Sequence, residues 1–358
     1  MALVGIIANP AAAHDVRRIS GYGSGVDNQE KIRIIRRILL GLQAVGIDEV
    51  LVMPDHYRLG QHAADISELH LSMHELSLPC ANNETDSTRA AEQMVAAGCA
   101  CIVTLGGDGT NRAVAKGSGK TPLLPISTGT NNVIPSAIEG TIAGLAVGIF
   151  ARGLVSDPAP IRRTKRLEIV RANEIIESAL VDIAISTEVF LGARAITDLT
   201  SLRQLWLTQA VPGCLGLSAI GAHLHPLSPA ADEALALDLD PDGMAHDVVT
   251  VLAPIAPGLI RPARVRAWRV LPIGETIPIN CHPCTLVLDG ERTLHLPTGS
   301  APIAIRVQWS GPRLLDPMAV LDYAVKRGFF QKIFSKAEVG PESETIQGSV
   351  YHWNRKVD

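Results

Sequence analysis

The chain has 358 residues, 47% of them apolar, 19% charged and only 4% aromatic. That length fits two domains, and the composition asks for an aliphatic core of the kind that lies between helices and buried parallel strands. A formal charge of −4 excludes the basic footprint of a general nucleic-acid binder, and no apolar run is long enough to span a bilayer.

The start, "MALVGIIANPAAA", lacks a positive leader region and reads as a buried strand closed by Asn9-Pro10. "GYGSGVDN" is a loop by composition. A helix follows, with Ile32, Ile35, Leu39, Leu42 and Val45 on one face. Its cations Lys31, Arg33, Arg36 and Arg37 read as a solvated face. "EVLVM" is a strand, residues 85–97 a helix with Asp86 as N-cap, and "CACIVTLG" and "TPLLPIS" are two further strands. Strands and helices alternate over the first ~150 residues, the pattern of an open parallel α/β sheet.

After "GIFARGLVSDPAP" prolines become frequent, and short runs such as "RLEIVRA", "SALVDIAIS", "DVVTVLAPI" and "CTLVLDG" are separated by turns. These predict an antiparallel β domain. The expected organisation is an α/β nucleotide-binding domain over residues 1–156, a β domain over 157–316 contributing the acceptor site, a helix over 317–335 returning to the first domain, and a polar tail over 336–358. Six scattered cysteines do not form a disulfide framework and imply a reducing, cytoplasmic setting.

The strand "CACIVTLG" runs into "GGDGT". In an open α/β sheet, ligands bind beyond the carboxyl ends of the strands. Gly106, Gly107 and Gly109 stand at that edge, where backbone N–H groups can turn inward as an anion nest and a phosphate can come close. Asp108 is an anion in that nest. Its cost is tolerable if the carboxylate binds Mg²⁺ or takes a proton from an attacking hydroxyl; a bare Gly-Gly-Asp-Gly is equally compatible with a tight turn and a helix cap. The next strand ends in a second polar loop with Ser127, Thr128, Gly129, Thr130, Asn131 and Asn132, neutral donors suited to lining a triphosphate. Asn9 makes a third polar point at the same edge.

Four other motifs carry less. "GSGKT" lacks the first glycine of a P-loop, and Pro122 blocks the helix that should follow. "GYGSG" does not join a strand tightly to a helix. "CHPC" has no second Cys/His pair at finger spacing. "HLH" (His223 to His225) reads as packing.

Together, "LGGDGTNRAV" and "PLLPISTGTNNV" resemble the superfamily of NAD kinases, diacylglycerol and sphingosine kinases and 6-phosphofructokinases. Within it the chain is similar to the acetoin catabolism protein X type of ATP-NAD kinase-like proteins, through "DSTRAAEQM", "ALVDIAISTEVFLGARAI" and "LVLDGERTLHLPTGSAPIAIRV". The resemblance implies an NAD kinase-like fold, Asp108 as the catalytic aspartate, Gly106, Gly107, Gly109 and Thr110 around the phosphates, and Asp182 and His223 on the acceptor side. Where NAD kinases carry a tyrosine-bearing stretch this chain has "VPGCLGLSA", and Val181 stands where they have Asn; both changes remove nucleoside contacts.

The expected activity is transfer of the ATP γ-phosphoryl, with Mg²⁺, to a hydroxyl, that of NAD at the adenosine 2′ position by resemblance. The alternatives are a kinase for another small alcohol or a lipid, and a nucleotide-binding sensor without catalysis. The expected partners are a nucleotide and a small acceptor, without nucleic acid or membrane; homo-oligomerisation and the metal-holding residues stay open.

Overall fold

A computed structural model describes residues 2–12, 22–23, 25–129, 132–155, 160–188 and 198–331. The first half runs β1 (Leu3–Ala8), α1 (Asn28–Ala44), β2 (Glu49–Val52), α2 (Leu59–Ala64), β3 (Ser72–Glu75), α3 (Glu84–Ala96), β4 (Cys101–Gly106), α4 (Asp108–Gly117), β5 (Leu123–Ser127) and α5 (Gly140–Ala151). The second half runs β6 (Ile161–Arg162), β7 (Arg166–Arg171), β8 (Glu174–Ala179), β9 (Asp182–Ser186), β10 (Leu202–Leu207), α6 (Ser218–Leu224), β11 (Glu233–Leu239), β12 (Val249–Ala256) and β13 (Leu259–Pro272). It ends with β14 (Thr276–Pro278), β15 (Cys284–Leu288), β16 (Arg292–Leu296), β17 (Ala304–Gln308), β18 (Leu314–Leu315) and α7 (Pro317–Lys326).

The first sheet has the order β3-β2-β1-β4-β5-β18-β6. Every pairing in it is parallel except β18 with β6. The chain moves outward from β1 through β2 to β3, then returns to place β4 on the other side of β1. That reversal opens a crevice beyond the carboxyl ends of β1 and β4, where open α/β sheets take their ligands. Asn9 follows β1 and Gly107 follows β4 at this point. The remaining strands form two antiparallel sheets, β12-β13-β11-β10-β9-β15-β16 and β14-β17-β7-β8. Their facing sides pack Ile183, Ile185 and Leu286 against Leu167, Ile305 and Val307, as alternating inward residues of two stacked sheets must. The fold is thus an N-terminal α/β domain with a mostly parallel sheet followed by antiparallel sheets. Both short strands β6 and β18, from the flanks of the second half, complete the first sheet.

Helix α1 begins where the Asp27 side chain accepts from Glu30 N at 2.7 Å and buries Ile32, Ile35, Ile38, Leu39 and Leu42. It lies against α5, whose Gly140, Gly144 and Gly148 recur every four residues and so fall on one side. A Cβ on Gly140 would meet Ile34 O at 2.8 Å, and one on Gly41 would meet Thr141 O at 2.6 Å. Glycine on both helices lets the backbones touch. Gly41→Ala should therefore separate them: Ala is the better helix former by about 1 kcal/mol, but overpacking costs about 1–3 kcal/mol. A lowered urea midpoint is expected, and an unchanged or raised one would show that the crossing has slack.

Several local expectations need correction. Lys31 does not belong to a solvated face: it is fully buried, because its ammonium donates to the carbonyls of Asn9, Pro10 and Ala12 at 2.9, 3.0 and 2.6 Å and to Asn28 Oδ1 at 3.1 Å. Buried cations require such partners. Asp86 is not the N-cap of α3. Asn83 is, accepting from Thr85 N, while Asp86 accepts from Ala81 N and Asn82 N and holds the preceding turn. The last helix stops at Lys326; it buries Val320 and Ala324 in the core of the first sheet. The stretch around "HLH" contains helix α6, whose Gly221 lies against Leu207, Leu235 and Ala210 too closely for any Cβ. The Asp157-Pro158 boundary, Thr130, Asn131 and the tail beyond 331 lie outside the described residues. Among the described residues, no helix is long and apolar enough to cross a membrane.

Candidate active site

The glycine motif is built from β4 outward. Gly106 closes the strand, Gly107 is the helix N-cap and Asp108 is the first residue of α4. A Cβ on Gly106 would collide with the Thr110 side chain, and one on Gly107 would lie 2.9 Å from Asn132 Oδ1. Two hydrogen bonds of Asn111 fix the turn: Thr104 Oγ1 donates to Asn111 Oδ1 at 2.6 Å, and Asn111 Nδ2 donates to Gly107 O at 2.9 Å. Asn9 Nδ2 donates to Thr110 Oγ1 at 2.9 Å, so the end of β1 is tied to α4. The Lys31 ammonium clamps the carbonyls of Asn9, Pro10 and Ala12 beside that tie.

The second polar loop lies beside the first. Thr128 N donates to Gly106 O at 3.3 Å, Asn132 Nδ2 donates to Ser127 Oγ at 2.6 Å, and Gly129 packs against the Asn132 side chain. Thr128 is fully buried. Of the expected nucleotide-side residues, Asn9, Gly106, Gly107, Gly109, Thr110, Thr128, Gly129 and Asn132 therefore come together. Thr130 and Asn131, in the same loop, are the two that fall outside the described residues.

Asp108 points from α4 into a narrow cleft between the two halves of the chain, with a cavity of about 30 Å³. Val133 and Asp108 line it from the first half; Val181, Asp182, Leu215, Gly216, Leu217, Ile255, Asp289 and Gly290 line it from the second. The Asp108 carboxylate accepts from Val133 N at 2.9 Å and Ile134 N at 2.8 Å. Burial pushes its pKa up to about 7, with further upward pressure from the charges of Asp289 and Glu291; the two backbone donors oppose the rise. The rest of the motif thus has a physical purpose: loops held rigid around a carboxyl group that exchanges its proton near neutrality.

The pH dependence has a definite sign. Asp108 in the folded protein is protonated below about pH 7, so a reaction that needs it as base gains activity as pH rises through that value. The same shift makes the folded state bind more protons than the unfolded one between the ordinary aspartate value of 3.8 and about 7. Stability from this group therefore falls as pH rises across that window. A kcat/KM profile with its acid limb near 7 is expected, and a limb near 4 would remove Asp108 from the base's position.

The acceptor-side expectations divide. Asp182 lines the cleft. His223 is exposed on α6, its Nδ1 2.8 Å from Leu252 O, and is not among the cleft-lining residues. Three residues that sequence reasoning passed over stand at the site. Asp289 follows β15 and accepts from Leu180 N, Val181 N and Asp182 N at 3.1, 2.8 and 3.3 Å. Arg112 Nε lies 3.4 Å from Asp289 Oδ2. Glu291 sits over α4, where a Cβ on Gly109 would strike its carboxylate. The signal was present: "LVLDGE" repeats the pattern of "TLGGDG", an apolar strand running into Asp-Gly.

Comparisons with known proteins match the two halves of the chain to different family models. Residues 4–152 match a family model described as the ATP-NAD kinase N-terminal domain, and residues 165–309 match one described as the acetoin catabolism protein X C-terminal domain. Two solved structures from Bacillus anthracis str. Sterne, provisionally assigned as diacylglycerol kinases, overlay 88% of this chain and 97% and 98% of theirs, at 14% and 11% identity and TM-scores of 0.45 and 0.40. The acetoin catabolism protein X of Cupriavidus necator is 33% identical over 353 residues, covering 94% of this chain and 96% of its own. With that identity over nearly the whole of both sequences, the chain belongs to the acetoin catabolism protein X family.

Proposed function

We propose that the chain is an ATP-dependent phosphotransferase that moves the γ-phosphoryl of ATP to a hydroxyl acceptor, with Asp108 as the base. The observation that carries this is a buried carboxyl of pKa about 7 at the first position of α4, set between two glycine-bearing loops. The helix N-terminus and its free N–H groups favour phosphate. Asn9, Thr110, Thr128 and Asn132 add neutral donors around it. Phosphoryl transfer depends mainly on positioning and charge stabilisation, which such a rigid frame supplies.

Among the described residues, no three His, Cys, Asp or Glu side chains converge to hold a metal. That fits Mg²⁺, which takes one or two carboxylates and completes its shell with phosphate oxygens and water. Glu291, exposed above Gly109, is the carboxylate suited to hold it, and the ion would neutralise phosphate charge. The Cupriavidus relative's name ties its family to acetoin catabolism, and we take the reaction to serve that catabolism in the cytoplasm. The resemblance to NAD kinases makes the NAD 2′-hydroxyl the first acceptor to assay. The matching kinase model, however, ends at residue 152, before the wall that would read the acceptor.

Purified protein with Mg-ATP should release ADP when the correct alcohol is added, and NADP formation from NAD reports the dinucleotide reading. Tight ATP binding with no ADP from any acceptor would instead favour a nucleotide sensor.

A further inference from the structure

The acceptor wall of the cleft is anionic and aliphatic. Among the described residues, Val181, Leu215, Leu217 and Ile255 line it together with the carboxylates of Asp108, Asp182 and Asp289, and no Lys, Arg or His side chain does. A protein holds a phosphate or carboxylate with a guanidinium or with a nest of successive backbone N–H groups. Both devices exist here, and both are occupied from within. The Arg112 guanidinium is paired with Asp289, Glu84 and Glu177 at 3.4, 3.2 and 4.0 Å. The three successive amides of Leu180, Val181 and Asp182 all point at the Asp289 carboxylate. A second anion arriving at this wall would meet the like charge of Asp108 and Asp182, with no cationic side chain among its described residues to compensate it.

Resting on the phosphotransferase reading, we infer that the acceptor is a small uncharged alcohol, a diol or hydroxyketone with a short aliphatic part, and not a phosphorylated alcohol or a dinucleotide. The cleft is narrow, its cavity only about 30 Å³, so a bulky acceptor such as a dinucleotide finds little room beside Asp108. Val181, Leu215, Leu217 and Ile255 receive the acceptor's carbon chain, and Asp182 can accept from a second hydroxyl. The acceptor oxygen forms a bond to the γ-phosphorus as its proton passes to Asp108. The bond from that phosphorus to the ADP oxygen breaks, and Asp108 then returns the proton to water. The products are ADP and an uncharged alcohol's phosphate monoester.

The test compares acceptors that differ in charge. ADP release from Mg-ATP is followed with glycerol, 2,3-butanediol and acetoin against glycerol 3-phosphate and NAD. The best uncharged acceptor should exceed both charged ones in kcat/KM by on the order of 10²-fold or more. In Asp182→Asn, checked for folding by urea titration, that ratio should narrow roughly tenfold, whereas a merely structural role would lower all rates alike. A higher kcat/KM on NAD or glycerol 3-phosphate, or an unaltered ratio in Asp182→Asn, overturns the inference and leaves the phosphotransferase reading standing. No ADP from any acceptor sinks both.

Discussion

Asp108→Asn is expected to lower turnover by ~10²–10⁴-fold, the usual contribution of a positioned general base, while nucleotide affinity changes far less. The amide keeps Oδ1, which now accepts from Val133 N at 3.2 Å and from Ile134 N at 2.8 Å, so the loop after β5 stays in place. What it loses is the capacity to take a proton. The variant also removes a buried charge whose pKa burial raises to about 7, so at pH 8 its stability should equal or exceed that of the parent. Steady-state rates, nucleotide titration and urea unfolding on one preparation separate these effects. Undiminished turnover would falsify the assignment of Asp108 as base.

The second large effect is structural. Arg112→Met should destabilise the protein by about 3–5 kcal/mol, the loss typical when one partner of a buried ion pair is removed. The Arg112 side chain is 3% exposed and that of Asp289 is 0% exposed. Arg112 rises from α4, Glu84 begins α3, Glu177 lies in β8 and Asp289 follows β15, so one guanidinium joins elements from both halves of the chain. Lys116 adds a 2.9 Å pair to Glu177, and Arg292 approaches both glutamates at 3.7 Å. Methionine fills much of the volume but leaves Asp289 buried without its cation. The penalty therefore comes from the stranded carboxylate. Arg112→Met combined with Asp289→Asn should lose distinctly less than Arg112→Met alone, measured by urea unfolding. Equal losses would mean that packing of the arginine stem, not charge, accounts for the effect.

The parts of this protein that could be read in advance were those whose cause is local. Leu3–Ala8 and Cys101–Gly106 are apolar runs with turn residues at their ends, and burial on both faces of a parallel sheet requires that pattern. The apolar face of α1 follows from a 3.6-residue period. Gly106, Gly107 and Gly109 could be placed at a ligand edge because strand polarity in an α/β sheet dictates which end carries the loops. The change to antiparallel texture after residue 150 was visible in the shorter, proline-broken runs.

The remaining features depend on residues far apart in sequence, and no window along the chain contains their cause. Lys31 has the sequence context of a surface cation. It is buried because the turn after β1 brings three carbonyls to its ammonium. Arg112 stands beside a phosphate motif and would pass for a phosphate ligand, yet Asp289, 177 residues later in the numbering, engages it. His223 has the chemistry of an acceptor ligand, but the register of α6 against β12 turns its ring toward Leu252 O. Asp289 itself was one carboxylate among 36 acidic residues until β15 paired with β9 and set it against the amides of 180–182. Local spacing dictates periodicity, turns and strand ends. Which charges are left facing a cleft is settled when distant elements pack, because a buried charge is tolerated only where another part of the chain neutralises it.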